Sequence, residues 1–285
     1  MTVKHYFWII LITFLFGSAY PVQKIIFNES VPPILMGALR MLIVFICLIP
    51  FWKFKIPKRK YWFPLLGFAI FMGVGTNFFM NLSIYNANIV SPTIIGSQLA
   101  IPFGILFSSI FLGENVSFKK WFFILTSFFG IILISFDPEL KNEKVALLLI
   151  SFMAFFYGGS QVFSRYLKDL NVTQTNAFMG LTGFIILILI SILFEGNLYT
   201  NIININFNSW ILIMHSAVLV SIIGHMSLFY LYKLYPVKKV FPFYALFPVF
   251  GIMQTIIIFK EMPTLIILIG GIIVIMSIYY LNKLD

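Results

Sequence analysis

Apolar residues run almost unbroken for about twenty positions at a time, and short polar or basic stretches interrupt them. A helix needs about 20 such residues to cross a hydrocarbon core of about 30 Å. Ten segments meet that length, at roughly 6–27, 31–52, 61–83, 89–112, 118–136, 145–164, 172–194, 209–231, 238–259 and 263–281. The connections between them are short, and the longest, 195–208, is polar and Asn-rich. Lys53, Lys55, Lys58, Arg59 and Lys60 separate the second segment from the third, because a bilayer interior does not accept five adjacent cations. The first segment is longer than the core of a signal peptide and no small-residue cleavage site follows it, so it reads as a span.

Composition agrees with the pattern. Of 285 residues, 61% are hydrophobic and 10% charged, against about a quarter charged in ordinary soluble domains. A chain of this length cannot bury so much apolar surface in water. A soluble enzyme, a nucleic-acid binder and a disordered chain are therefore excluded. The single cysteine, Cys47, rules out an internal disulfide and a cysteine-based zinc site.

The net charge of +10 acquires meaning from placement. With the N-terminus inside, fourteen Lys and Arg residues fall in inner loops and four (Lys24, Lys141, Lys144, Lys260) on the outer side. Positive residues mark the cytoplasmic side. The expected topology is multi-pass, with both termini cytoplasmic, in a bacterial inner membrane.

A repeat adds the architecture. Ile101–Glu114 reads IPFGILFSSIFLGE and Pro248–Glu261 reads PVFGIMQTIIIFKE. Both carry Phe-Gly and, ten residues on, a Glu, and five spans lie between the two acids. An odd number of spans per repeat forces opposite orientations. The expected fold is an all-α integral membrane protein of ten transmembrane helices in a 5+5 inverted repeat. The halves are residues 1–144 and 145–285, with a site near mid-membrane between them.

These residues carry a resemblance. Phe16-Gly17-Ser18 followed by Lys24, Leu39-Arg40, and the tracts ending in Glu114 and Glu261 resemble the drug/metabolite transporter superfamily, EamA type. The chain departs from that pattern where Phe16 stands for Trp, Ile101 for Pro and Lys260 for Gly. The resemblance implies ten helices around a central cavity, lined by spans one, three, four, six, eight and nine. It also implies transport of small metabolites, often amino acids.

Ionisable groups within a membrane are costly and hence candidates for function. Here they are Lys24, Arg40, His215 and His225, with no Asp or Glu deep in any span. Arg40 has two readings: a structural or gating tie, to backbone carbonyls or to Glu29, and a contact for a substrate carboxylate. Lys24 either snorkels to headgroups or stands at the cavity mouth. Assuming α-helical geometry, His215 and His225 do not share a stripe, which disfavours a joint metal site. His225 is either a neutral packing residue or a substrate and proton contact. Uncharged polar residues complete the candidate cavity: Tyr20, Asn77, Gln98, Tyr157, Gln161 and Tyr244. Prolines 21, 92, 102, 242 and 248 provide bends.

The expected function is secondary transport by alternating access of a small polar or amphipathic metabolite, amino-acid-like by preference. Neither catalysis nor a cofactor is expected. Exchange, facilitated flux and a histidine-linked coupling proton stay open, as does oligomeric state. A membrane-embedded lipid-modifying enzyme would need paired acids or a metal cluster, and a non-transporting receptor would have little use for an inverted repeat.

Overall fold

A computed structural model describes residues 2–51, 57–235, 243 and 246–284. Among them, eight helices are long and apolar enough to cross a membrane, and two shorter apolar helices follow at Phe247–Phe259 and Leu265–Leu281. We label α1 (Val3–Asn28), α2 (Pro33–Leu48), α3 (Arg59–Asn86), α4 (Ser91–Leu112), α5 (Phe118–Ser135), α6 (Lys144–Tyr166) and α7 (Val172–Phe194). They are followed by a short connecting α8 (Leu198–Ile203), then α9 (207–234), α10 (Phe247–Phe259) and α11 (Leu265–Lys283). Of the expected span 238–259, positions 238–242, 244 and 245 lie outside the described residues.

An all-helical chain is what lipid demands, because each backbone N–H and C=O must be satisfied within the segment. The lipid-facing surface shows it. Phe122, Leu125, Phe129 and Ile132 form one exposed stripe on α5, while Ile124, Ile131 and Ile134 on the other side are buried.

Small residues set the crossings. A Cβ on Gly17 of α1 would fall 2.7 Å from the Gly251 nitrogen of α10. A Cβ on Gly158 of α6 would fall 2.7 Å from the Gly104 nitrogen of α4. The α5–α11 crossing is closed the same way at Gly130 and Gly270. Where lipid tails compete with side chains, close backbone approach supplies much of the packing attraction. Pro21 has no N–H to give to Gly17 C=O, so α1 lacks that backbone bond close to where it meets α10.

The two halves share irregularities as well as contacts. The last stretch of α4, Ala100–Leu112, and α10 are each 13 residues long. Each ends on a left-handed residue, Gly113 at φ 67° and Lys260 at φ 60°, followed by a Glu. Both third helices contain a π-helical stretch, Ala69–Thr76 in α3 and His215–Gly224 in α9. The stripe arithmetic for His215 and His225 assumed an α-helix and does not hold across that segment.

Candidate functional site around Arg40

The π stretches turn polar side chains back onto their own backbone. In α3, Thr76 Oγ1 donates to Phe71 O (2.9 Å), and Asn77 Nδ2 donates to Met72 O (3.0 Å) and Gly73 O (3.2 Å). In α9, Ser221 Oγ donates to Ser216 O (3.1 Å). His225 Nδ1 lies 3.2 Å from Val220 O, which places the proton on Nδ1 and leaves Nε2 of the neutral ring an acceptor. Widened turns recur at functional sites because they displace a side chain from the regular helical register.

Arg40 of α2 is 7% exposed, and its Nε donates to Ser221 Oγ at 3.0 Å. No carboxylate bonds it among the described residues. Glu29, the acid in reach on sequence grounds, is engaged instead by Asn206 Nδ2 (2.8 Å). Arg40, Asn77, Ser221 and His225 line one cavity of about 40 Å³ with Asn176 and methionines 41, 72, 179 and 226. That volume holds a few water molecules. The cavity runs from mid-helix toward the C-terminal end of α2 and the N-terminal end of α7, the end of the bundle where 57–61 and 165–171 lie.

A second set of candidates lies on α1, α4 and α9, of which Tyr20 and His215 are near Arg40. Tyr20 is buried, stacks on Phe247 at 6.3 Å, bonds Ser97 through its hydroxyl, and lies near Tyr157 and Arg40. Gln98 is buried in the 3₁₀ turn Ser97–Leu99, just before Pro102 interrupts the α4 ladder. His215 reaches across to α1, with Nε2 3.3 Å from Ser18 Oγ. That hydroxyl already donates to Leu15 O, so it accepts from Nε2–H, and Nδ1 of His215 is buried without a partner. Phe16 packs on the His225 ring at 4.8 Å.

Two candidates stand apart from this cluster. Gln161 is exposed on α6 and touches Ser160. Lys24 sits at the opposite end of the bundle, where its Nζ donates to Ala87 O. Tyr244 lies outside the described residues.

Two differences from the sequence expectation concern the walls. The cavity is built on α2 and α7 as well as on α3 and α9, although the resemblance implied neither the second span nor the seventh. Apart from Arg40 and Asn176 their contribution is Met41, Val44, Leu48 and Met179, which look like any lipid-facing residues in a membrane sequence. The π stretches leave no apolar periodicity to read.

The end opposite the cavity is closed by carboxylates. Glu195 accepts from Ile34 N (2.6 Å) and Leu35 N (2.8 Å), capping α2. Glu143 accepts from Asn88 N at 3.0 Å, and Glu261 from Val90 N at 3.1 Å. Glu114, the counterpart of Glu261 in the repeat, pairs instead with Arg165 at the cavity end.

No curated protein matches the chain by sequence. A solved structure described as "Crystal structure of protein" resembles it over 95% of this chain and 94% of that chain, with a TM-score of 0.63 and 16% identity. That likeness concerns the fold. The model of the EamA-like transporter family matches twice, over residues 3–136 and 144–283. Nearly the whole chain is covered by these two copies, so the protein belongs to the EamA-like transporter family and is a multi-pass membrane protein of the drug/metabolite transporter type.

Proposed function

We propose that the protein is a secondary transporter that moves a small polar or amphipathic metabolite bearing a carboxylate, such as an amino acid, by alternating access. The proposed frame is ten transmembrane helices in two inverted halves, 1–144 and 145–285. The repeated π stretches, the matched left-handed helix ends and the paired glycine crossings support it. The distribution of Lys and Arg supports a bacterial inner membrane with both termini cytoplasmic.

One observation carries the functional reading. Arg40 is buried at mid-helix with one of its nitrogens on Ser221 and no carboxylate partner among the described residues. A buried charge without a partner is costly, and it persists where a ligand supplies the partner. In this reading Arg40 receives the substrate carboxylate, while Tyr20, Asn77, Gln98, Tyr157 and His225 shape the surrounding pocket. His215 and Lys24 act in gating, and Gln161 and Tyr244 belong to the cavity's path in another conformation.

The test is uptake into proteoliposomes over labelled amino acids, other carboxylates, amines and nucleobases, with and without a pH gradient. A carboxylate-bearing compound is expected to be transported, with uptake lost in Arg40→Gln. Absence of flux for every compound, in both directions, would overturn the proposal.

A further inference from the structure

We infer that the Arg40 cavity recognises an amphipathic organic anion by its anionic head alone, and that an ammonium group on the same molecule weakens binding. The inference rests on the transporter reading and narrows its substrate class to carboxylates whose neighbouring substituent is uncharged.

The polar atoms around the cavity account for it. Asn77 spends its amide hydrogens on Met72 O and Gly73 O. Ser221 gives its hydrogen to Ser216 O and accepts from Arg40 Nε. His225 gives its Nδ1 hydrogen to Val220 O. The donors that remain for an anionic head are the Arg40 Nη groups, for which the structure shows no acceptor among the described residues, in the fork geometry that suits a carboxylate; the other polar atoms the lining offers, His225 Nε2 and the amide oxygens of Asn77 and Asn176, are uncharged acceptors.

No anion answers an ammonium there. The chain has nine acidic residues, and every described one lies at a helix end or in a connection. Glu29, Glu143, Glu195 and Glu261 are bonded at the end away from the cavity. Glu114 is tied to Arg165, and Asp169 accepts from Tyr61 Oη. Asp137 is bonded by Thr264, and Glu139 follows it in the same turn. The segments 52–56 and 236–242, and positions 244 and 245, contain no acid, and Asp285 is the last residue. An α-ammonium held next to a carboxylate on Arg40 would therefore sit beside a largely buried guanidinium with no anion of its own, where like charges repel more strongly than in water.

At about 40 Å³ the cavity has room for the head only, and as the site opens in the transport cycle the rest of the ligand would meet thioethers. Met41, Met72, Met179 and Met226 are unbranched and polarisable, and such residues repack around apolar groups of differing shape. This suits a variable aliphatic or aromatic body behind one fixed head.

The experiment is titration calorimetry on the purified full-length protein in detergent with three probes that share one body: 3-phenylpropionate, phenylalanine and phenethylamine. The series is repeated with hexanoate, norleucine and pentylamine. The expected order is carboxylate tightest, the amino acid weaker by about tenfold or more, consistent with an unpaired ammonium, and the amine without measurable binding. Arg40→Gln should lose the carboxylate, and Arg40→Lys should keep part of the affinity, which shows that the site still folds. Amino acids or amines binding as tightly as the carboxylates, or no binding of either carboxylate, would overturn the inference. Uptake of an amino acid as efficient as that of the matching carboxylate in the wider screen would leave the transporter reading standing while this one falls.

Discussion

The glycine crossings make a prediction sharp enough to test the packing in detail, because the two partners at one crossing should respond oppositely to the same substitution. A methyl group on Gly158 meets Gly104 N at 2.7 Å, the Phe103 Cβ at 2.8 Å and Ala100 O at 2.9 Å. Backbone atoms cannot rotate away, so α4 and α6 must separate. Overpacking of this kind costs about 1–3 kcal/mol, toward the upper end here, and the gain in helix propensity returns about 1 kcal/mol. Gly158→Ala is therefore expected to destabilise by about 2 kcal/mol. A methyl on Gly104 finds its nearest neighbours at 3.8 Å, ordinary contact, so Gly104→Ala keeps the propensity gain of about 1 kcal/mol. At about 2–4 °C per kcal/mol for a chain of this size, Gly158→Ala lowers the melting temperature by about 4–8 °C and Gly104→Ala raises it by about 2–4 °C. The lone Cys47 provides the assay: a thiol-reactive dye reports unfolding in detergent, at one fixed heating rate because membrane proteins unfold irreversibly. Equal shifts for the two variants, or the reverse order, would refute the crossing geometry.

Lys260 holds a left-handed conformation at φ 60° where the first repeat has Gly113. Lys260→Gly should stabilise by about 1 kcal/mol, read as a higher melting temperature, and no gain would mean the helix end is not strained. Glu261 is half-buried, and its carboxyl is held above the usual carboxylate range, chiefly by burial, with Glu143 adding to the effect and Val90 N–H and Lys24 opposing it. A raised value in the packed arrangement favours that arrangement at low pH. The stabilisation is full below the ordinary carboxylate range and is lost as pH rises through the raised value. Thiol labelling of a cysteine at Val90, which is fully buried in the packed arrangement, in a Cys47→Ala background, should slow between pH 7 and 5 relative to the same cysteine in Glu261→Gln; matching profiles would remove Glu261 from the packing of this end. The Arg165–Glu114 pair is largely exposed, with side chains 60% and 44% accessible. Glu114→Gln should therefore change stability by less than about 1 kcal/mol, and a larger loss in a melting experiment would show that the pair is more than a surface contact.

Much of the fold was legible because lipid is a demanding solvent. A twenty-residue apolar run has few alternatives to a spanning helix, and Gly113-Glu114 with Lys260-Glu261 marked two equivalent helix ends. Arg40 was legible as an anomaly, a guanidinium placed deep in a span that holds no acid. The cavity walls were not legible. Met41 and Met179 face the cavity, yet nothing local separates them from methionines facing lipid. The π stretches depend on Thr76, Asn77, Ser221 and His225 reaching carbonyls five residues back, a choice made by packing rather than propensity. Gln161, which shares a helical stripe with Tyr157, came out exposed because a stripe does not say which neighbour it meets.

The unpaired guanidinium also bears on energetics, and it yields a last prediction. In alternating access the site must pass through a state closed at both ends, where its charge is shielded from water. With an anion bound, Arg40 enters that state as a neutral pair. Empty, it enters as an uncompensated charge, bonded among the described residues by Ser221, and the cost of burying it falls on the reorientation step. If even about 1.4 kcal/mol of that cost survives local hydration, the empty carrier turns over about tenfold more slowly than the loaded one. Counterflow in proteoliposomes should then outrun net efflux by about that factor. Equal rates of exchange and net efflux in the unmodified protein would mean that water follows Arg40 throughout the cycle, and that its missing partner is no barrier to return.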